Sequence, residues 1–578
     1  MSSEIIKQHY ISLAKLVNAY DTTAFTQAHL KATYSLCVKL YQAAKLSPDL
    51  VFSQSQLYKS QLSYCDNLIF NAAVYTCLMG VRNRLDASIT IQLMSASISL
   101  LASQQDSIRD FYLSTVEDNI SPPNKIKNSK SIKQLLNKNS QHIWLSSIAI
   151  FPHMHVVKPS KLSQFTIMQS INYIAIKLAL LCTPNKKFKP IKFAMAFKQI
   201  CLLCPDSWYK NLTPLMVYPT LSPPGSFIKQ SQGDLFIILS VSQSGVVTKP
   251  INETRSKAQI QVIEVPNLSR SYANQALNNL KKLDLWWNGK LEHFYTENPY
   301  IQAVSPFEKH LPMKVAPSSL LVIQDQLNNI DTDISVITKA IEQEPAYIQQ
   351  LQLKASSQNR KNQNIDSTQL GLAMLGYERT SYLLLEYSLL LRLTQDYFPL
   401  QKSFLAFTHL CAEIAEKVAL KAKAKNIPTG VASSAVYFLL SRLFTLPSIR
   451  KLTNWPLGQK QHYKLVSLID VKDNQTLKND GVTLAQAWQQ NKLIINSLKL
   501  FDAPQLANSK ILEKQLGYIL GLSLAISKNR YFTNIQTCTE TEQYIELAKL
   551  ELGLKTGDIN NICELSINNT STFSPLYS

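Results

Sequence analysis

The chain of 578 residues carries 59 Lys and Arg against 39 Asp and Glu, a formal charge of +20, with 46% hydrophobic and 17% charged residues. That balance excludes a disordered chain and leaves room for three or four domains of roughly 150 residues, or fewer large ones. Only 14 glycines occur, with Gly80 alone before Gly225 and no G-x-G-x-x-G or G-x-x-x-x-G-K-[ST] pattern, which argues against P-loop, Rossmann and kinase architectures and favours helices.

Met1–Tyr20 is amphipathic, with Glu4, Lys7 and Lys15, and has no charged region feeding an apolar one as a signal peptide does. The most apolar windows, Tyr173–Cys182 and Tyr382–Leu393, are short and broken by Lys177, Glu386 and Arg392. A spanning helix needs about 20 apolar residues, so a soluble, cytoplasmic protein with no membrane span is expected. Nine cysteines, mostly inside apolar helical runs, read as reduced core thiols.

Residues 1 to about 220 read as successive helices. Leu30, Tyr34, Cys37, Val38 and Tyr41 recur at three- and four-residue steps, as do Ile89, Leu93, Ser97 and Leu100. Asn119–Ser140 interrupts with Pro122-Pro123 and five lysines, predicting a loop that leads into a short helix. After Pro223-Pro224-Gly225 the period changes. Ser226–Ile228, Leu235–Val241, Gly245–Thr248 and the alternating Ile260–Val265 predict three or four antiparallel strands.

Residues 266–305, with Trp286-Trp287, read as a linker, and a second helical domain begins near Leu311-Pro312. Asp333 is the expected N-cap of a helix carrying Ile334, Ile337 and Ile341, and Pro345 opens the next. The expected fold is mainly α, with domains at 1–225, 226–265 (the β unit) and 306–567, then a polar tail at 568–578. Charge is uneven: residues 1–225 hold 23 basic and 10 acidic residues.

The second domain resembles the HDOD family, a helical bacterial signalling module related to HD-type metal phosphohydrolases. Ile341–Leu351, with Glu344 and Pro345, is similar to the family's I-x-x-D-P-x-L-x-x-x-L helix pair, with Glu where Asp is usual. Gly371–Tyr377, with Leu375 and Gly376, resembles A-I-x-x-L-G, and Phe407–Ala412 places His409 where the family often has W-x-H-S.

Residues 60–250 resemble an HD-GYP domain. Tyr218-Pro219, Pro224-Gly225-Ser226 and Gly233-Asp234 are similar to its closing Y-P-x-G…G-E tail. Leu162–Pro184 resembles its A-D-x-Y helix, and Phe151–His155 stands where an intact member reads H-H-E-x-x-D-G-S-G-Y-P. The resemblances imply two HD-superfamily-like helical domains, the first ending in the β unit.

Such hydrolases need His and Asp donors converging on two divalent ions. No His-Asp dipeptide occurs in the chain; the pair would fall near Leu100-Leu101 and near Leu439-Leu440. Both domains are therefore expected to be emptied scaffolds, with no catalytic residue, metal or cofactor. His153-x-His155 has no acid between Asp118 and Asp206 to complete a metal site, and Cys201-x-x-Cys204 has no second pair.

The resemblance implies a non-enzymatic regulatory role in cyclic-nucleotide or two-component signalling, with a histidine kinase, response regulator or diguanylate cyclase as partner. The alternative is a nucleotide- or nucleic-acid-binding module that uses a basic surface of Lys125, Lys127, Lys130, Lys133, Lys186, Lys187, Lys189 and Lys192. A second alternative is a cyclic di-GMP phosphodiesterase with an atypical metal site.

Overall fold

The computed structural model divides into two compact units, Met1–Lys309 and His310–Ser578. It describes the chain except residues 1–2, 23–24, 116–117, 119, 124–125, 127–128, 155–158, 189–190, 230–234, 252–259, 265–270, 273–274, 288–289, 309, 330, 359–363, 423–425, 470–473, 507, 533–535 and 571–578.

The first unit is built on helices α1 (Ser3–Thr22), α2 (Gln27–Leu46), α3 (Tyr64–Arg82), α4 (Ala87–Ala102), α5 (Ser129–Lys138), α6 (His142–Ser147), α7 (Ile167–Cys182) and α8 (Phe193–Leu203). Local sequence marks where the central three begin. Ser63 and Asp66 form a capping box for α3, Asp86 accepts from Ser88 N at 2.8 Å to start α4, and Thr166 pairs with Gln169 to start α7.

Helices α3, α4 and α7 are the core, and they carry a buried polar chain as well as apolar side chains. Thr76 Oγ1 lies 2.9 Å from Ser97 Oγ, which donates to Asn172 Oδ1 at 2.5 Å, while Asn172 Nδ2 donates to Ser147 Oγ at 3.0 Å. Gly80 lies where α3 crosses α4: a Cβ there would sit 2.6 Å from both Cγ2 and Oγ1 of Thr90.

The β unit is a five-stranded antiparallel sheet of order β5-β4-β3-β2-β6, one strand more than the upper expectation. Its strands are β2 (Phe227–Lys229), β3 (Leu235–Ser242), β4 (Gly245–Pro250), β5 (Gln261–Ile263) and β6 (Ser271–Tyr272), after a short β1 (Leu57–Lys59) that pairs in parallel with β7 (Gln275–Leu277). Alternation sets one face: Ile228, Phe236, Ile238, Val246 and Ile263 form its apolar cluster. The register shifts between Ile238 and Ser240, a bulge in β3.

The stretch 266–305 is not a bare linker. It contains β6, β7, α9 (Lys281–Trp286) and α10 (Lys290–Glu297) and belongs to the first unit. Trp286 and Trp287 are buried, and Trp287 Nε1 donates to Leu239 O at 3.0 Å. Apolar area on adjacent indoles outweighs the polar flanks that suggested a connector.

The second unit comprises α11 (Ser318–Asn328), α12 (Ile334–Glu342), α13 (Pro345–Gln358), α14 (Thr368–Leu375), α15 (Tyr377–Leu393), α16 (Gln401–Lys421), α17 (Val431–Thr445), α18 (Asn474–Ala487), α19 (Lys492–Leu500), α20 (Ile511–Tyr531), α21 (Thr539–Leu552) and α22 (Thr556–Thr570). Asp333 caps α12 as expected, accepting from Ser335 N at 2.7 Å. The architecture is mainly α. Among the described residues no helix is long and apolar enough to cross a membrane.

Candidate functional site

A polar cavity of about 910 Å³ lies in the second unit, where α15, α16 and α17 converge. Each helix turns a polar stripe into it. Arg379, Tyr382 and Glu386 come from α15, His409, Glu413 and Glu416 from α16, and Ser433 and Tyr437 from α17. These residues recur at three- and four-residue steps, the spacing that elsewhere in these helices carries apolar core. Polar stripes facing one another inside a bundle break the binary pattern, and such breaks mark functional sites.

Glu386 Oε1 accepts from Ser433 Oγ at 2.6 Å and from Ser434 Oγ at 2.9 Å. Burial pushes its carboxyl up to about 7; the two serine hydroxyls oppose the shift and Glu416 adds to it. Glu416 takes the Gly430 N–H on both oxygens, at 2.9 and 3.1 Å, and burial raises its pKa too.

Gly430 is left-handed at φ +91, and a Cβ there would stand 2.8 Å from Tyr382 Cβ, so only glycine brings this N–H to Glu416. Glu413 pairs with Lys417 at 3.3 Å and accepts from Asn569 Nδ2 at 2.8 Å. His409 Nδ1 is 2.9 Å from the Tyr437 hydroxyl, and desolvation by the surrounding helices, with Lys354 second, lowers its pKa.

The family-motif positions separate into two roles. Glu344 and Pro345 begin α13, with Glu344 O accepting from Tyr347 N at 2.8 Å. Leu375 is buried at the end of α14, and Gly376, at φ +79, turns the chain into α15. These four shape the helix corners. His409 alone of the motif residues lines the cavity. Sequence reading passed over Glu386 as a mere interruption of an apolar run; its place opposite Glu416 depends on how two helices far apart in sequence cross.

The places where the His-Asp pairs were sought are apolar core. Leu100 and Leu101 lie on α4 and Leu439 and Leu440 on α17, all buried. Among the described residues no three His, Cys, Asp or Glu side chains are grouped so as to hold a metal ion. The two-ion centre of an HD-type hydrolase does not fit this donor set, because the cavity's carboxylates are turned onto serine hydroxyls, a backbone N–H and a lysine.

In the first unit His153 packs edge-on against Phe165, with ring centroids 5.7 Å apart, while His155 and Gly233-Asp234 lie outside the described residues. Cys201 and Cys204 are free thiols at the end of α8. Tyr218, of the Y-P tail, is buried and donates to Asp49 Oδ1 at 2.8 Å, and burial raises the Asp49 carboxyl to about 7.

The lysines sit on two separate elements. Lys130 and Lys133 are exposed on α5, opposite Ile132 and Leu136, which pack with Trp144. Lys186 is exposed in the segment after α7, and Lys192 precedes α8. Lys187 covers the Phe111 ring at 4.3 Å and reaches Ser114 Oγ at 3.3 Å, so its charge is partly spent on packing. Lys125, Lys127 and Lys189 lie outside the described residues.

No protein-family model matches the chain, and no curated protein matches it. Solved structures to which part of the chain is similar include an HDOD domain protein with unknown function from Geobacter sulfurreducens, at 16% identity and TM-score 0.33, covering 46% of this chain and 90% of that one. A protein of Shewanella amazonensis with a provisional phosphohydrolase assignment is similar at 14% identity and TM-score 0.32, covering 44% and 91%. The MmoQ response regulator of Methylococcus capsulatus is similar at 14% identity and TM-score 0.23, covering 44% and 98%.

Proposed function

We propose that the chain is a non-enzymatic regulatory protein that acts by binding signalling partners, with HD-superfamily-like helical scaffolds serving for recognition instead of turnover. The observation that carries this reading is the second-unit cavity, whose carboxylates already have protein donors while its histidine faces a tyrosine hydroxyl. A two-ion hydrolytic centre needs several open carboxylate and imidazole ligands converging on it, and the donors left here, such as Glu386 Oε2 and His409 Nε2, are not grouped with a third among the described residues. The HDOD resemblance supplies the partner classes: a histidine kinase, a response regulator or a diguanylate cyclase.

The test is metal content and turnover of the purified full chain. The reading expects sub-stoichiometric manganese and iron by plasma mass spectrometry, and no hydrolysis of cyclic di-GMP or bis(p-nitrophenyl) phosphate with added Mn²⁺. One metal or more per chain together with turnover that His409→Ala abolishes refutes it, and establishes the phosphodiesterase alternative.

One observation favours a second reading, in which the first unit binds single-stranded nucleic acid. Phe188 is 52% exposed beside Lys186, with its ring against Phe111 and Tyr112. An exposed ring beside cations is the arrangement on which bases stack. Binding to a labelled oligonucleotide that weakens with salt, and weakens again in Phe188→Ala, would support it; no binding at low salt removes it.

A further inference from the structure

We propose that the second-unit cavity is a binding site for a purine nucleoside phosphate, with Lys354 receiving the phosphate and Glu386 the N–H edge of the base. The inference goes beyond the non-catalytic reading and concerns what the cavity holds, whether or not anything is turned over.

The argument starts from polar groups left with unused capacity. The Lys354 ammonium, at the cavity wall, makes no hydrogen bond or ion pair among the described residues, the backbone carbonyl alone accepting from Ser357 Oγ. Glu386 and His409 line the same cavity as Lys354. Glu386 binds both serine hydroxyls through Oε1, leaving Oε2 without a hydrogen bond among the described residues. Among the described residues the His409 ring is hydrogen-bonded only at Nδ1, leaving Nε2 without a partner.

These open groups are a cation, an acceptor and an imidazole nitrogen. A small inorganic anion would satisfy Lys354 and leave a carboxylate facing it. A simple amine would do the reverse. The complementary ligand therefore carries an anionic group and an N–H donor edge in one molecule.

Size and walls narrow the class. About 910 Å³ lies toward the upper end of the roughly 300–1,000 Å³ that small-molecule sites occupy, too large for a free amino acid to fill. Tyr382, Leu383 and Leu420 add a ring and two apolar side chains to the same lining, surfaces on which a flat heterocycle packs. An amino-substituted aromatic base joined to a phosphate meets all four conditions.

Calorimetry on the full chain tests this with GMP, AMP, their nucleosides and inorganic phosphate as probes. One purine monophosphate is expected to bind one to one, about tenfold or more tighter than its nucleoside or phosphate alone. Lys354→Met and Glu386→Gln should each weaken that binding by about tenfold or more, the first by removing a charge-assisted contact and the second by replacing an acceptor oxygen with an amide that can turn its NH₂ toward the base edge. Ala406→Trp fills the cavity from α16 without touching either charge and should abolish binding; Ala406 is partly exposed, so the variant is expected to fold.

No saturable heat with either purine monophosphate up to about 1 mM overturns the proposal on the wild-type protein alone. Binding that survives both Lys354→Met and Ala406→Trp overturns it too, by placing the ligand elsewhere. Hydrolysis of a bound nucleotide would refute the non-catalytic reading and leave this site standing, whereas absence of binding would do the opposite.

Discussion

Gly80 is the only glycine in the first 224 residues, and the structure says what replacing it should do. In Gly80→Ala the new methyl would lie 2.6 Å from two side-chain atoms of Thr90, which is fully buried on α4 and has a single short, branched side chain to move. Overpacking of this kind costs about 1–3 kcal/mol, whereas alanine gains about 0.5–1 kcal/mol over glycine inside a helix. The net expectation is a loss of about 1–2 kcal/mol, local to the crossing of α3 and α4.

Hydrogen exchange read by mass spectrometry suits a two-unit chain, whose global unfolding need not be two-state. Amides of Tyr64–Arg82 and Ala87–Ala102 should exchange about tenfold faster in Gly80→Ala, with peptides of the second unit unchanged. Thr90→Ala removes the two clashing atoms, and with them a buried hydroxyl that has no hydrogen-bond partner among the described residues, leaving a Cβ contact of 3.0 Å. The double variant should therefore recover most of the protection that Gly80→Ala loses. Protection equal to wild type in Gly80→Ala, or a loss undiminished beside Thr90→Ala, would refute the close-crossing argument.

Glu386, raised to about 7 from 4.5, holds its proton in the folded state over a range where the unfolded chain has lost it. Its contribution is full below about 4.5 and is lost as pH rises through about 7, against a background of Glu416, Lys354 and His409 facing it. The melting temperature of wild type relative to Glu386→Gln should therefore fall between pH 5 and 7, and parallel profiles would contradict this. Lys528 Nζ bonds the Gly458 and Ser467 carbonyls at 2.6 and 2.7 Å, and burial lowers its pKa to about 8. Lys528→Met strands two carbonyls and should cost about 3 kcal/mol near pH 7; from pH 8 to 10 the wild type should gain stability relative to the variant, because the unfolded chain then binds the extra proton. Among the nine cysteines only Cys201 and Cys538 are partly exposed, so native labelling with a thiol reagent should modify two sites rapidly and the rest only on unfolding; rapid labelling of Cys37 or Cys77 would contradict their burial.

Period and punctuation determined much of this protein before any tertiary contact. Three- and four-residue steps mark the helices, and the change of period after Gly225 marks the sheet, while Asp333 and Pro345 mark helix starts; each of these is a local property of a dozen residues or fewer. That no His-Asp dipeptide occurs is likewise a fact of the sequence that no fold alters.

The cavity was not legible. Glu386, Glu416 and Gly430 are unremarkable in their own segments, and they meet only because α15, α16 and α17 cross where those stripes face one another. The fate of Trp286-Trp287 also waited on the sheet, since a polar-flanked pair of indoles is a connector or a buried anchor according to what lies opposite. Side-chain meeting across long separations in sequence depends on helix crossing and rotation, and hydrophobic periodicity sets which face is buried without naming the face it will meet.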